Sequence, residues 1–294
     1  MYSVPPRRIL AATDLSEESG GAVGRAAALA ARHGARLRVV HVVPPDVDPD
    51  LVEFAGTLLR SQVHRYTGPV RDAEGGGGTD AGEGVETGLR FGRVGPALLD
   101  EARKADADLL VVGAHGADRR PGALIGGTPG NLVRAARGPV LVVRRPADTA
   151  YRRVLLAVDD SEVSREAARA GIALTPGAEH LALHVSIVPG ERLLLQRGVD
   201  DAGLEQLRHA VVERARPDIE RLVDALTPRP DDVLVLPGRA QEVVPARAAS
   251  PGADLVVVGT GTRSGFGYAL LGSVARHVMA EAPCDVLVVP GTER

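Results

Sequence analysis

Short runs of Val, Leu, Ile and Ala alternate along the chain with longer amphipathic stretches. In the first half the runs are ILAAT (9–13), LRVVHVV (37–43), GVETGLR (84–90), DLLVVG (108–113) and PVLVVR (139–144). Near-continuous Val/Leu runs predict strands buried on both faces. Helical spacing is read over Glu17–His33, Leu51–Tyr66, Gly95–Ala105 and Leu132–Ala136. The second half repeats the pattern with VLLAV (154–158), HLALHVSIV (180–188), DVLVL (232–236), DLVVVG (254–259) and DVLVVP (285–290). Strand and helix in regular alternation predict a parallel sheet covered by helices, with right-handed crossovers. Each half is therefore expected to be a doubly wound, Rossmann-like α/β domain.

The two halves are also copies in detail. RRILAATDLSEES (Arg7–Ser19) returns 145 residues later as RRVLLAVDDSEVS (Arg152–Ser164). GRVGPALLDEARKADADLLVVGAHG (Gly92–Gly116) returns 146 residues later as GRAQEVVPARAASPGADLVVVGTGT (Gly238–Thr262). A period of this length is a whole domain and not a solenoid unit. Two domains, 1–148 and 149–294, are expected, with the junction near Pro146–Ala150. Gly68–Gly84, with four consecutive glycines, is the one low-complexity segment and reads as a loop.

Composition narrows the classes. The chain is 44% hydrophobic and 25% charged, within the range of a soluble globular protein. Its 2% aromatic content, without Trp, offers no stacking platform for single-stranded nucleic acid, and a net charge of −3 offers no basic footprint for duplexes. The single cysteine, Cys284, cannot form an internal disulfide, and no apolar run is long enough to span a membrane. A cytoplasmic protein with neither nucleic-acid nor membrane partners is the expectation.

Open parallel sheets bind ligands beyond the carboxyl ends of their strands. After strand one stand Asp14 and Asp159, each followed by a Ser two residues on and a Glu three residues on. That spacing fits a helix cap, by the Asp or by Ser16 and Ser161, and it equally fits a carboxylate that accepts a hydrogen bond from an adenine or ribose. Strand two holds His41-Val42 and His184-Val185, where a histidine is either a satisfied core residue or a ligand. After strand four come Gly113-Ala-His115-Gly116, nine residues, then Gly126-Gly127-Thr128-Pro129; the second copy reads Gly259-Thr260-Gly-Thr262, nine residues, then Gly272-Ser273-Val274-Ala275. Glycines admit a ligand close to the backbone, and free N–H groups at a helix start suit phosphate. The Walker sequence with its Lys is absent from both halves.

On these residues both halves resemble the universal stress protein family. The resemblance covers 7–149 and 152–290, and rests on the Asp after strand one, the His-Val pair, ADLLVVG and ADLVVVG, the spaced glycines, and LLGSVARHVMAEAPCDVLVV (270–289). It implies an adenine nucleotide alpha hydrolase-like fold with a five-stranded parallel sheet of order 3-2-1-4-5. It also implies ATP, with or without magnesium, held by a Gly-x-x-Gly, nine residues, Gly-Ser/Thr motif. Carried onto this chain, the nucleotide contacts are Thr13, Asp14, Val42, Gly113, His115, Gly116, Gly126, Gly127 and Thr128 in the first copy. In the second they are Val158, Asp159, Val185, Gly259, Thr260, Thr262, Gly272, Ser273, Val274 and Ala275. Family dimerisation through the last strand implies that 139–143 and 285–289 pair within one chain as a pseudo-dimer, or serve a homodimer.

Each copy departs from the motif once. Gly127 stands where Ser or Thr is expected and Pro129 lacks an N–H, whereas Thr262 replaces the second glycine. Gly272-Ser273 retains its helix-start donors, so the second copy is the expected triphosphate site. Three functional readings follow: a regulatory ATP-binding protein of the stress response, a weak ATPase or autophosphorylating enzyme, and a protein-interaction module with vestigial nucleotide sites and an unidentified protein partner.

Overall fold

A computed structural model describes residues 5–67, 70–72, 85–115, 127–145, 149–250, 252–261 and 271–291. The chain divides between Ala150 and Tyr151 into two compact units. The first contains β1 (Arg8–Thr13), α1 (Glu17–His33), β2 (Arg36–Val43), α2 (Pro49–Thr67), β3 (Val70–Asp72), β4 (Val85–Phe91), α3 (Val94–Lys104), β5 (Leu109–Gly113), α4 (Gly127–Ala135) and β6 (Val140–Val143). The second contains β7 (Arg153–Ala157), α5 (Glu162–Leu174), β8 (Glu179–Ser186), α6 (Glu191–Gln196), α7 (Asp201–Asp224), β9 (Asp232–Pro237), α8 (Ala240–Ala249), β10 (Leu255–Thr260), α9 (Ser273–Glu281) and β11 (Asp285–Pro290).

In the second unit the strands lie β9-β8-β7-β10-β11, all parallel, which is the order 3-2-1-4-5. The first unit has the same order, β4-β2-β1-β5-β6, with one strand more than the expected five. The addition is β3, three residues parallel to the outer edge of β4, inside the segment read from its glycines as a loop. Central strands carry the apolar runs: Leu10, Ala11, Val39, Val40, Leu141 and Val142 are fully buried, as are Leu156, Ala182, Val256 and Leu287. The sheets are sandwiched between helices, so both strand faces are removed from water.

Polar residues kept in both copies fasten this scaffold. Asp108 Oδ2 accepts the backbone N–H groups of Arg7 and Arg8, both at 2.9 Å. Asp254 Oδ2 does the same for Arg152 and Arg153, at 2.8 and 2.9 Å. The repeated Arg-Arg and Ala-Asp signatures thus meet where strand one enters the sheet beside strand four. Gly92 and Gly238 turn the chain from β4 and β9 into α3 and α8 with φ of 124° and 132°, a conformation open to glycine and strained for other residues. Arg93 and Arg239 follow as N-caps without a side-chain capping bond.

The copies differ in how the second helix packs. Gly20 of α1 lets α2 approach closely: a Cβ there would lie 3.0 Å from the Tyr66 hydroxyl. The matching residue of α5 is Arg165, and α7 lies on β8 and β9.

Candidate ligand site at the carboxyl edge of the second sheet

Strand one of each copy runs into a helix through the same set of bonds. Ser16 Oγ accepts Ser19 N–H at 3.1 Å, and Ser161 Oγ accepts Ser164 N–H at 3.1 Å, so the serines are the caps of α1 and α5. Asp14 and Asp159 brace those caps. Asp14 Oδ1 accepts the N–H and hydroxyl of Ser16 (3.1 and 2.6 Å), and Asp159 Oδ1 those of Ser161 (3.0 and 2.5 Å). Of the two capping assignments the sequence allows, the serine is therefore realised, and Asp159 Oδ2 has no protein partner among the described residues. The strand-two histidines are tied to the same turn: His41 Nδ1 lies 2.9 Å from Thr13 O and His184 Nδ1 2.9 Å from Val158 O. A carbonyl can only accept, so each Nδ1 carries its proton, and a neutral ring presents Nε2 as an acceptor.

Beyond this shared frame the copies part. In the second, a cavity of about 450 Å³ opens at the carboxyl edge of the sheet. It is lined by Val158, Asp159, Ser161, Val163 and Ser164 from strand one and α5, by Leu183, His184 and Val185 from β8, by Val258–Gly261 from β10, by Ala240 and Val244 of α8, and by Val274 of α9. In the first copy, the counterparts of Val158, Ser161 and Ser164 are Thr13, Ser16 and Ser19, and Gln62 of α2 reaches in among them. Thr13 Oγ1 donates to Gln62 Oε1 at 2.7 Å and lies 2.7 Å from Ser19 Oγ; Gln62 Nε2 donates to Ser16 O at 2.9 Å. Thr13, Ser19 and Gln62 are all buried.

The structure gathers most of the second copy's sequence-derived residues at one place. Val158, Asp159, Val185, Gly259, Thr260 and Val274 line the cavity. Gly272 is the N-cap of α9, and a Cβ added to it would lie 4.0 Å from Gly261 N, so the two arms of the glycine motif converge. Ser273 opens α9, whereas Ala275 is 1% exposed and packs in the core. Gly259 also has a packing reason to be glycine, since a Cβ there would stand 3.0 Å from Val163 Cγ1. In the first copy Gly127 and Thr128 open α4, five residues before the helix read from apolar spacing, Gly113 ends β5, and Val42 is buried in β2. Gly116, Gly126 and Thr262 lie outside the described residues. Sequence reasoning did not single out Val163, Ser164, Ala240 or Gln241, and it read Ser161 only as a helix cap. Gln241 Nε2 donates to Ser273 Oγ at 3.2 Å, and its matching residue in the first copy is Gly95, a difference readable from the repeat alone.

A duplicated doubly wound α/β unit, with a cavity beyond strands one and four of the second copy, defines the class of this protein. The universal stress protein family model matches residues 5–144 and 150–290. A universal stress protein of Mycolicibacterium smegmatis is 31% identical over 291 residues, 96% of each chain. One of Mycobacterium tuberculosis is 29% identical over 298 residues, 95% of this chain and 96% of the relative. A Thermus aquaticus relative, 34% identical over 141 residues, matches 47% of this chain with 98% of its own length. Among solved structures, a putative universal stress protein from Pseudomonas aeruginosa superimposes with a TM-score of 0.65 at 18% identity, covering 97% of this chain and 93% of that one. One from Archaeoglobus fulgidus gives 0.64 at 16%, covering 97% and 98%. The chain belongs to the universal stress protein family and carries two copies of its domain in tandem.

Proposed function

We propose that this protein is a nucleotide-responsive regulator of the stress response, and that its second domain holds one adenine nucleotide, ATP being the best fit. The cavity beyond β7 and β10 carries this reading, because its two ends differ chemically. One end presents the Asp159 carboxylate and the Nε2 acceptor of His184, both suited to the N–H and O–H groups of adenine and ribose. The other presents Gly259–Gly261 and the start of α9, where backbone N–H groups and the helix dipole favour an anion. The Asp159 charge repels phosphate, which sets the ligand's direction. Magnesium, when bound with the nucleotide, supplies charge neutralisation of the phosphates.

In the first domain the Thr13–Ser19–Gln62 network and Gly127 disfavour the same ligand. The experiment is calorimetric titration of nucleotide-stripped full-length protein with ATP and magnesium. One site per chain, abolished by Asp159→Ala and retained in Asp14→Ala, is expected. Two equal sites would reject the assignment to one domain, and no heat at millimolar ATP from folded protein would reject the nucleotide reading.

A further inference from the structure

We propose that this chain docks head to tail on further copies of itself, the acidic apolar corner at α2 of one molecule receiving the basic apolar helix α6 of the next. Neither corner includes a residue that lines the nucleotide cavity.

The first corner is built by α2 and the end of β4. Leu51, Phe54 and Leu58 recur at helical spacing on one face of α2, and all three are exposed. Phe91 ends β4 in register with Val43, where the chain leaves β2 for α2. A Cβ on Gly56 would lie 3.7 Å from Leu89 Cδ1, so α2 covers that face of β4, and Phe91, two residues on, points to the same side. Of the chain's three phenylalanines, Phe54 and Phe91 are 59% and 56% exposed, so scarce aromatic surface is placed in water at this corner. Asp46, Asp48, Asp50 and Glu53 flank it, all exposed and none in an ion pair among the described residues. No basic residue occurs over 44–59 to offset them.

The second corner takes the same place in the other copy, after strand two. There α6 reads Glu-Arg-Leu-Leu-Leu-Gln, and none of its residues is buried. Leu193, Leu195 and, just past β8, Ile187 are exposed. Glu191 is neutralised by Arg208, whose Nε donates to it at 3.0 Å. Arg192 and Arg197, exposed and in no ion pair among the described residues, therefore make this patch positive. A helix this short is not held by its own hydrogen bonds, and contiguous exposed apolar side chains mark an interaction surface. Charge decides what covers it. Two acidic corners repel each other, as do two basic ones, whereas acidic on basic is the complementary pairing. Every chain carries one of each, so a second copy is the occupant. Because the docked surfaces differ, each addition leaves one patch open, and association continues until a ring closes.

The test is sedimentation velocity of the full-length protein from micromolar to millimolar concentration, at low and high salt. The wild type is compared with Asp50→Lys/Glu53→Lys and with Arg192→Glu/Arg197→Glu, melting curves confirming that each variant folds. Wild-type mass is expected to rise with concentration and to fall back in high salt, which screens the two rims. Either charge reversal alone is expected to weaken association at least about tenfold, because like charges then meet. An equimolar mixture of the two variants is expected to restore it: both corners of one are then basic and both corners of the other acidic, so every contact between the variants is complementary. Wild-type mass independent of concentration, or association that both reversals leave unchanged, would overturn the proposal. So would a mixture that associates no better than either variant alone.

Discussion

At the end of strand one the two domains start from the same bonds and finish differently. Both have a serine cap braced by an aspartate and a strand-two histidine bonded to the preceding carbonyl. In the first domain Thr13 and Gln62 are joined by a buried hydrogen bond, while the second has Val158 and a cavity. Duplicated domains thus keep the polar bonds that hold loops to strands, and diverge in the side chains that face the carboxyl edge.

A second contrast lies on the outer strands. Glu101 of α3, 3% exposed, sits between two arginines: Arg38 Nε at 2.6 Å and Arg90, which donates through Nη2 at 2.9 Å and through Nε. The matching residues of the second domain are Leu181, Leu236 and Arg247, so an ionic cluster in one copy is replaced by apolar strand residues in the other. Glu101→Ala is expected to have the largest effect, about 3 kcal/mol of stability. That is the low end for a buried pair, because Arg38 and Arg90 keep 22% and 27% of their side chains in solvent. Hydrogen exchange should locate the loss in β2, β4 and α3 and leave β8 and β9 unchanged; uniform loss would show the domains to be energetically coupled.

Next come two substitutions that trade one copy's residue for the other's. Gly171→Ala gives α5 the residue found at Ala26 of α1, yet its Cβ would stand 2.7 Å from Val257 Cγ2 and 3.1 Å from Leu156 Cδ2. Overpacking against a stiff valine is expected to cost about 1–3 kcal/mol in denaturant unfolding, beyond what helix propensity returns. Thr13→Val copies Val158 into the first domain and leaves Gln62 Oε1 and Leu15 N–H without their partner, at a cost of about 1–3 kcal/mol. If that variant also gains nucleotide binding, the network is what closes the first site.

Ser16→Ala and Ser161→Ala should each cost about 1 kcal/mol, and by similar amounts, since the capping bonds match at 3.1 Å. Unequal losses would break the claim of a shared frame.

The smallest expected effect is a difference in acid response. Burial pushes the pKa of His180 down, and the nearby Asp231 charge offsets this only in part. His180 Nε2 lies 2.9 Å from Thr175 Oγ1, which itself donates to Gly171 O, so the imidazole fits as a neutral donor. Because the unfolded state takes the proton first, stability from His180 is present above about pH 6.5 and declines as pH falls below it. The first domain has Leu37 at this position. Its own titrating group is Glu101: burial pushes that carboxyl up, but the Arg90 hydrogen bonds and the Arg38 and Arg90 charges outweigh burial and hold it below the usual range. Stability from Glu101 is present above the ordinary carboxylate pKa and is lost as pH falls through the folded value. Exchange measured from pH 7.5 to 5.5 should therefore loosen β8 before β2, and His180→Leu should abolish that order.

Most of the scaffold was legible because apolar runs and the repeat carry it. β3 was not, because three residues in a glycine- and charge-rich segment have no apolar periodicity. The first turn of α4 escaped the apolar reading for the same reason, as Gly127-Thr128-Pro129 offers no hydrophobic face, although the helix-start motif marks it. Spacing alone could not separate Asp14 from Ser16 as the cap, since both are acceptors beside the helix start; the bond from Ser19 N–H to Ser16 Oγ decides it. At the cavity, residues adjacent to strand ends were readable from topology. Gln241 was not, because a glutamine near a helix start looks like any solvent-facing residue until it is set beside Gly95.

The central claim is that the nucleotide belongs to the second domain. Hydrogen exchange of the full-length protein with and without saturating ATP tests it most directly. Protection confined to 158–164, 259–261 and the first turn of α9, with 13–19 and 113–115 unchanged, is the expected result. Equal protection in both copies, or protection of the first alone, would contradict the account.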